Sequence, residues 1–177
     1  MKKTKVTIRK ATIKDIGWMY RLWLNSSREH ERYSPLDKLL PEDQIKNHIW
    51  RDLDAYLSDR NNIIIVAMLQ LSKCASVQVG YACGHVGERD EPVFELSKEG
   101  FIDDICVSFD QRGKGFGKLL MDELIRKLYG RGADFIGLAV AAGNPAVEFY
   151  RKHGFEVKSY WLARRGDPKQ KRLTKKK

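Results

Sequence analysis

Apolar and polar positions along this chain follow two periods, and the switches between them mark out its elements. Val6-Thr7-Ile8-Arg9 alternates at period two, as a strand with one buried face does. Thr12 and Asp15 stand ahead of Ile13, Ile16, Met19, Tyr20 and Trp23, a capping-box pattern that opens an amphipathic helix. A polar stretch from 25 to 38 follows. Pro41-Glu42-Asp43 then starts a second helix with Ile45, Ile49, Leu53 and Leu57 along one stripe, broken at Asn61-Asn62. Residues 63–69 are apolar without interruption, which predicts a central strand buried on both faces. After a turn at 72–76, residues 77–84 return as its antiparallel partner. Residues 88–100 hold five acids against two bases and read as a long loop. Residues 101–107 form the next strand, and Leu120, Leu124 and Leu128 repeat along a third helix that ends at Gly130. A strand at 134–140, a short helix through Tyr150 and a strand at 155–161 that closes the sheet complete the order β-α-α-β-β-β-α-β-α-β. That order is a single-domain, mixed α/β fold.

The pattern breaks most sharply at Asp103-Asp104-Ile105-Cys106-Val107-Ser108-Phe109-Asp110-Gln111-Arg112-Gly113-Lys114-Gly115-Phe116-Gly117-Lys118. A strand runs into three alternating glycines, and a helix begins directly behind them. Glycine lets successive N–H groups turn toward one point, and a helix N-terminus adds free donors and partial positive charge. Together they predict a phosphate site. A Walker loop is excluded, since Gly113 to Gly117 is one residue short and Leu119 stands where its hydroxyl would be. The dinucleotide fingerprint fails as well, because the glycines fall at 113, 115 and 117.

What does fit is R-x-x-G-x-G, carried by Arg112, Gly115 and Gly117. This resembles the pyrophosphate loop of the GNAT superfamily of acetyl-CoA-dependent N-acetyltransferases. A second stretch, Gly143-Asn144-Pro145-Ala146-Val147-Glu148-Phe149-Tyr150-Arg151-Lys152-His153-Gly154-Phe155, resembles the superfamily's later cofactor segment. Locally, Asn144 suits an N-cap, Pro145 the first helical turn and Gly154 the stop. The resemblance covers nearly the whole chain and is strongest over 101–155. It implies the acyl-CoA N-acyltransferase fold, a mixed and mostly antiparallel sheet flanked by helices, with an N-acetyltransferase domain at 1–163.

It also implies a chemistry. The N–H groups of Arg112, Gly113, Lys114, Gly115, Phe116, Gly117 and Lys118 would hold the pyrophosphate of acetyl-CoA, with the Arg112 and Lys114 charges nearby. The pantetheine would lie along the strand edge at Ile105, Cys106 and Val107, with the Val107 N–H polarising the thioester carbonyl and Asn144 bonding the arm. Tyr150 would be the general acid, since a phenol of pKa about 10 keeps its proton at neutral pH and can give it to a thiolate of pKa about 8.5. Asp103 and Asp104 are the candidate bases for an amine that is otherwise protonated. Strand alternation sends them to opposite faces, so only one would meet the acetyl group. The acceptor would be a primary amine, attacking directly in a ternary complex: a small amine or polyamine, or a protein lysine or N-terminus.

Composition adds less. The 177 residues suit one domain, and no run reaches the roughly 18 apolar residues of a membrane span. Cys74, Cys83 and Cys106 lack metal-ligand spacing and fit reduced thiols in a cytoplasmic protein. His30, His48, His85 and His153 are scattered and form no metal constellation, so no metal is expected. The net charge of +10 sits at the ends, with +7 in residues 164–177 and +5 in the first ten, leaving −2 for 11–163. The segment 164–177 reads as a basic, disordered tail with a possible weak contact to nucleic acid or ribosomes. A homo-oligomer is compatible with the sequence. The competing reading is a non-catalytic acyl-CoA-binding or RNA- and ribosome-associated module of the same fold.

Overall fold

A computed structural model describes residues 5–34, 36–88 and 95–164. The element order is β1 (Val6–Lys10), a 3-10 turn, α1 (Ile16–His30), α2 (Glu42–Ser58), β2 (Asn62–Gln70), β3 (Ser76–Glu88), β4 (Lys98–Val107), α3 (Phe116–Tyr129), β5 (Phe135–Leu138) and α4 (Ala146–Arg151). The five strands form one sheet in the order β1-β2-β3-β4-β5. Every neighbouring pair is antiparallel except β4 with β5. The fold is therefore the mixed α/β class that the element order predicts, a mostly antiparallel sheet flanked by helices.

The chain divides into two units, Met1–Glu29 with Leu39–Ala139, and His30–Lys38 with Val140–Lys177. The first carries all five strands, α2, α3 and nearly all of α1. In it, side-chain alternation sorts the sheet residues between two cores. Ile64, Val66, Tyr81, Cys83 and Cys106 pack with Met19 and Leu22 of α1 and with the half-buried Leu53, Tyr56 and Leu57 of α2. The α3 stripe of Leu120, Met121, Leu124 and Leu128 is fully buried against β2, β3 and β4. The second unit carries α4.

A charged group sits inside this apolar frame. Asp15, 1% exposed, accepts two bonds from Arg9 of β1 at 2.7 and 2.8 Å, one from the Thr12 N–H at 2.8 Å and one from Gln78 of β3 at 3.1 Å. The Arg9 guanidinium holds the Asp15 carboxyl well below the usual carboxylate range, against the opposing effect of burial. The helix-start signal at Thr12 and Asp15 is thus also a tie between two strands.

Three sequence expectations change. The polar run from 25 does not end α1, which continues to His30, because a solvated helix face need not be apolar. The acidic loop shortens, since β3 runs on to Glu88 and β4 starts at Lys98, while 89–94 lie outside the described residues. No strand forms at 155–161, where Val157, Tyr160 and Trp161 are exposed. Alternation states that a segment can pair, and a strand also needs a neighbour to complete its hydrogen bonds. Apart from Arg164, the basic tail lies outside the described residues.

Candidate active site

β4 and β5 part company. Their parallel pairing covers only Glu99–Phe135 through Ile102–Leu138, whereas β4 stays paired with β3 as far as Val107. From Asp103 to Val107, then, β4 has β3 on one side and no strand among the described residues on the other. The Ser108 N–H donates to the Val79 carbonyl of β3 at 2.9 Å. By alternation the N–H and C=O of Val107 face the opposite edge, as do those of Ile105, while those of Cys106 face β3. The Val107 carbonyl on that edge accepts from Arg112 Nε at 3.3 Å, as this orientation requires. Of the three residues expected along the edge, Cys106 is therefore turned the wrong way. Its thiol is buried, and burial pushes it well above the usual thiol range.

The strand leads through a 3-10 turn at Phe109–Gln111 into the glycine loop. Gly113 and Gly115 have φ of +75° and +85°, the left-handed region that other residues enter only with strain. Around both, the space a Cβ would occupy is open. The Leu119 N–H closes onto the Gly115 carbonyl at 3.1 Å, so the donors of Phe116, Gly117 and Lys118 precede the first helical bond. The Arg112 N–H is already bonded to the Phe109 carbonyl at 3.3 Å and drops out of the cradle. Its guanidinium pairs with Glu29, in the last turn of α1, at 2.8 Å and lies 5.4 Å above the exposed Phe109 ring. Lys118 pairs with Asp122 at 2.8 Å, and Lys114 Nζ donates to Gln111 Oε1 at 3.2 Å.

A bulge places the two carboxylates. Cys83 is opposite Asp104 and Gly84 opposite Ile102, so Asp103 is an extra residue in β4. Gly84 is needed there, because a Cβ would lie 2.5 Å from the Phe101 carbonyl oxygen. The extra residue cancels one step of the alternation. Asp103 accepts from Tyr56 Oη of α2 and from His85 Nδ1 at 2.9 Å, and Asp104 accepts from Tyr81 Oη and from Cys106 Sγ at 3.3 Å. Tyr56 and Tyr81 belong to one apolar cluster, so both carboxylates face α1 and α2, and the expected split between faces does not occur. Burial raises both tyrosine hydroxyls, and both remain donors at neutral pH.

In the second unit, Asn144 is buried and its Oδ1 accepts from the Ala146 N–H at 2.9 Å, capping α4. Tyr150 is half-buried between the rings of Phe149 and Phe155, with centroids at 5.5 and 6.1 Å. Gly154, at φ +83°, ends the helix, and His153 Nδ1 donates to the Phe149 carbonyl at 2.7 Å.

Sequence reasoning overlooked Tyr56, and it gave neither His85 nor Glu29 the partner that each meets. His85 lies two positions beyond Cys83 on β3, within reach of Asp103 across the sheet, but the signal depends on the bulge. Glu29 and Tyr56 reach their partners through tertiary packing, for which no local spacing exists.

Comparison with known proteins places the chain in a family. The family model described as "Acetyltransferase (GNAT) family" matches residues 20–155. The L-methionine sulfoximine/L-methionine sulfone acetyltransferase of Pseudomonas aeruginosa is 32% identical over 84 residues, 47% of this chain and 49% of that protein. The chain thus matches about half the length of that relative. Among solved structures, a tetramutant of the BH1408 protein from Bacillus halodurans aligns with a TM-score of 0.76 at 21% identity, covering 90% of this chain and 99% of that one. A predicted acetyltransferase from Clostridium acetobutylicum, solved with acetyl-CoA, aligns with a TM-score of 0.69 at 18% identity, covering 91% and 96%.

Proposed function

Because the chain belongs to the acetyltransferase (GNAT) family, we propose that it transfers the acetyl group of acetyl-CoA directly to a primary amine. The observation that carries this is the parting of β4 from β5 ahead of a loop whose two left-handed glycines lead into the first-turn N–H groups of α3. A pantetheine arm carries amide groups able to pair with a strand edge, and its pyrophosphate suits a helix N-terminus with left-handed glycines before it. The residues present therefore fit acetyl-CoA, which supplies an activated thioester.

On this proposal the N–H groups of Gly113, Lys114, Gly115, Phe116, Gly117 and Lys118 hold the diphosphate. Ile105 and Val107 pair with the arm, and the N–H of Val107 stabilises the developing oxyanion. Asn144 bonds the arm through its remaining amide group. Tyr150 gives its proton to the departing sulfur. On the acceptor side Asp103 takes precedence over Asp104, since Asp103 is the more exposed and Asp104 holds Tyr81 and a buried thiol. A small amino compound is favoured as acceptor, because the curated relative acts on amino acid derivatives. The catalytic domain is taken as 1–163, with 164–177 as an appended basic tail.

Calorimetric titration with acetyl-CoA, followed by thiol release against spermidine, L-methionine sulfone and a lysine peptide, tests this directly. Micromolar binding with acceptor-dependent thiol release is expected. Absence of binding would overturn the proposal, and binding without release on any amine would remove the transferase activity from it.

A further inference from the structure

Among the described histidines, His85 alone bonds a carboxylate of the candidate site. It stands on β3 opposite Phe101, with ring centroids 6.0 Å apart, and its Nδ1 lies 2.9 Å from Asp103 Oδ2. A carboxylate only accepts, so Nδ1 carries the hydrogen. That fixes the tautomer and leaves the Nε2 lone pair as the basic position. The same Asp103 oxygen accepts from Tyr56 Oη, and the half-buried ring of Tyr56 anchors the carboxylate from the α2 side. The His85 side chain itself is 41% exposed, so the ring is partly open to solvent. Asp103 precedes Ile105 by two residues, roughly 7 Å along the strand, which sets this pair beside the open edge of β4.

We propose that His85 is the group that takes the acceptor's proton, with Asp103 and Tyr56 as the positioning residues that hold its ring and tautomer. This rests on the acetyltransferase proposal above and replaces a carboxylate base with an imidazole one. An ordinary imidazole has a pKa of about 6.5, against about 3.9 for an aspartate, so it is the better matched of the two to an ammonium proton at neutral pH. The balance is R–NH3+ + CH3CO–S–CoA → R–NH–COCH3 + HS–CoA + H+. The C–N bond forms with the amine's electron pair, and the C–S pair leaves on sulfur. Of the two protons that nitrogen gives up, His85 Nε2 takes the first and later releases it to water. The second offsets the proton delivered to the thiolate. The polar groups next to this pair in the fold are Tyr56, bonded to Asp103, Asp59 just beyond α2, whose charge acts on Tyr56, Asn62 opposite His85 in the register of β2 with β3, and the buried Cys83 thiol two positions before His85 on β3. Arg131 lies against the carbonyls of Asn61 and Asn62.

Two measurements test this. The first needs no turnover: long-range proton–nitrogen NMR of the imidazole rings, with His85 assigned by its loss in His85→Asn. The neutral ring is expected to be protonated on Nδ1 in the wild type and to become a tautomer mixture in Asp103→Asn. The second compares acetyl transfer to spermidine, L-methionine sulfone and a lysine peptide across pH. His85→Asn keeps an N–H for Asp103 but has no basic nitrogen, and His85→Gln serves if that variant melts early. Either is expected to lower kcat/KM at least about 100-fold and to abolish the acid limb, with the acetyl-CoA Kd unchanged. A wild-type ring protonated on Nε2, or a His85 variant with the wild-type rate and acid limb, overturns the assignment while the acetyltransferase proposal stands. A wild type that binds no acetyl-CoA overturns both.

Discussion

Asp103 and Asp104 are consecutive in β4 and yet face the same side of the sheet, one held by Tyr56 of α2 and the other by Tyr81 of β3. The bulge opposite Gly84 brings them together, and their surroundings then separate them. Asp103 is exposed beside a histidine, whereas Asp104 is packed against a buried thiol and a buried phenol. The two should therefore fail differently when replaced.

Asp104→Leu leaves the buried Tyr81 hydroxyl without its acceptor. It should lower stability by about 1–3 kcal/mol, and Asp104→Asn, which retains an oxygen, by less. Urea unfolding of both variants checks this. Equal losses would mean that the Tyr81 bond carries little of the effect.

Asp15 predicts an acid-sensitive stability. Its folded pKa lies below the unfolded value of about 3.9, so its contribution is complete above that pH and declines as pH falls toward the folded value. Asp15→Asn should cost about 1–3 kcal/mol at pH 7, because the charge-assisted bonds from the partly exposed Arg9 are lost. The gap from wild type should narrow in urea melts as pH is lowered from 5 to 3. A gap independent of pH would show that the carboxylate's charge is not what matters.

Gly115 and Gly117 should separate strain from binding. Gly115 is left-handed, so Gly115→Ala should lower stability by about 1 kcal/mol and weaken acetyl-CoA binding as well. Gly117 lies within α3 without a positive φ, so Gly117→Ala should leave the melting temperature near wild type or raise it, while the new methyl blocks close approach to the N–H groups. Thermal melts paired with calorimetry decide between these patterns.

Tyr150→Phe should reduce kcat about 100-fold and leave the acetyl-CoA Kd within a factor of about two, as removal of a proton donor does. Stopped-flow thiol release beside calorimetry separates the two quantities. A large rise in Kd would instead make Tyr150 a wall of the binding site.

Much of this was legible because it is local. Continuous apolar runs predicted β2, the spacing of Leu120, Leu124 and Leu128 predicted α3, and the glycines after Val107 predicted the loop that joins β4 to α3. What escaped depends on register or on packing. Strict alternation put Asp103 and Asp104 on opposite faces, and one inserted residue reverses that outcome. Arg112 reads as a phosphate ligand by its place in the motif, but the Glu29 that meets its charge is more than eighty residues earlier. His85 gains its partner only because the bulge turns Asp103 toward it.

The parting of β4 from β5 also bears on how the free protein survives in a crowded solution. A strand flank without a neighbour is a template for foreign strands, and proteins usually shield such flanks with a helix, a proline or a kink. If a pantetheine arm pairs along 103–107, the ligand takes over that shielding while it is bound. Protein stored without acetyl-CoA should then lose monomer to aggregates faster than protein stored with it, so solubility would follow occupancy even where melting temperature does not.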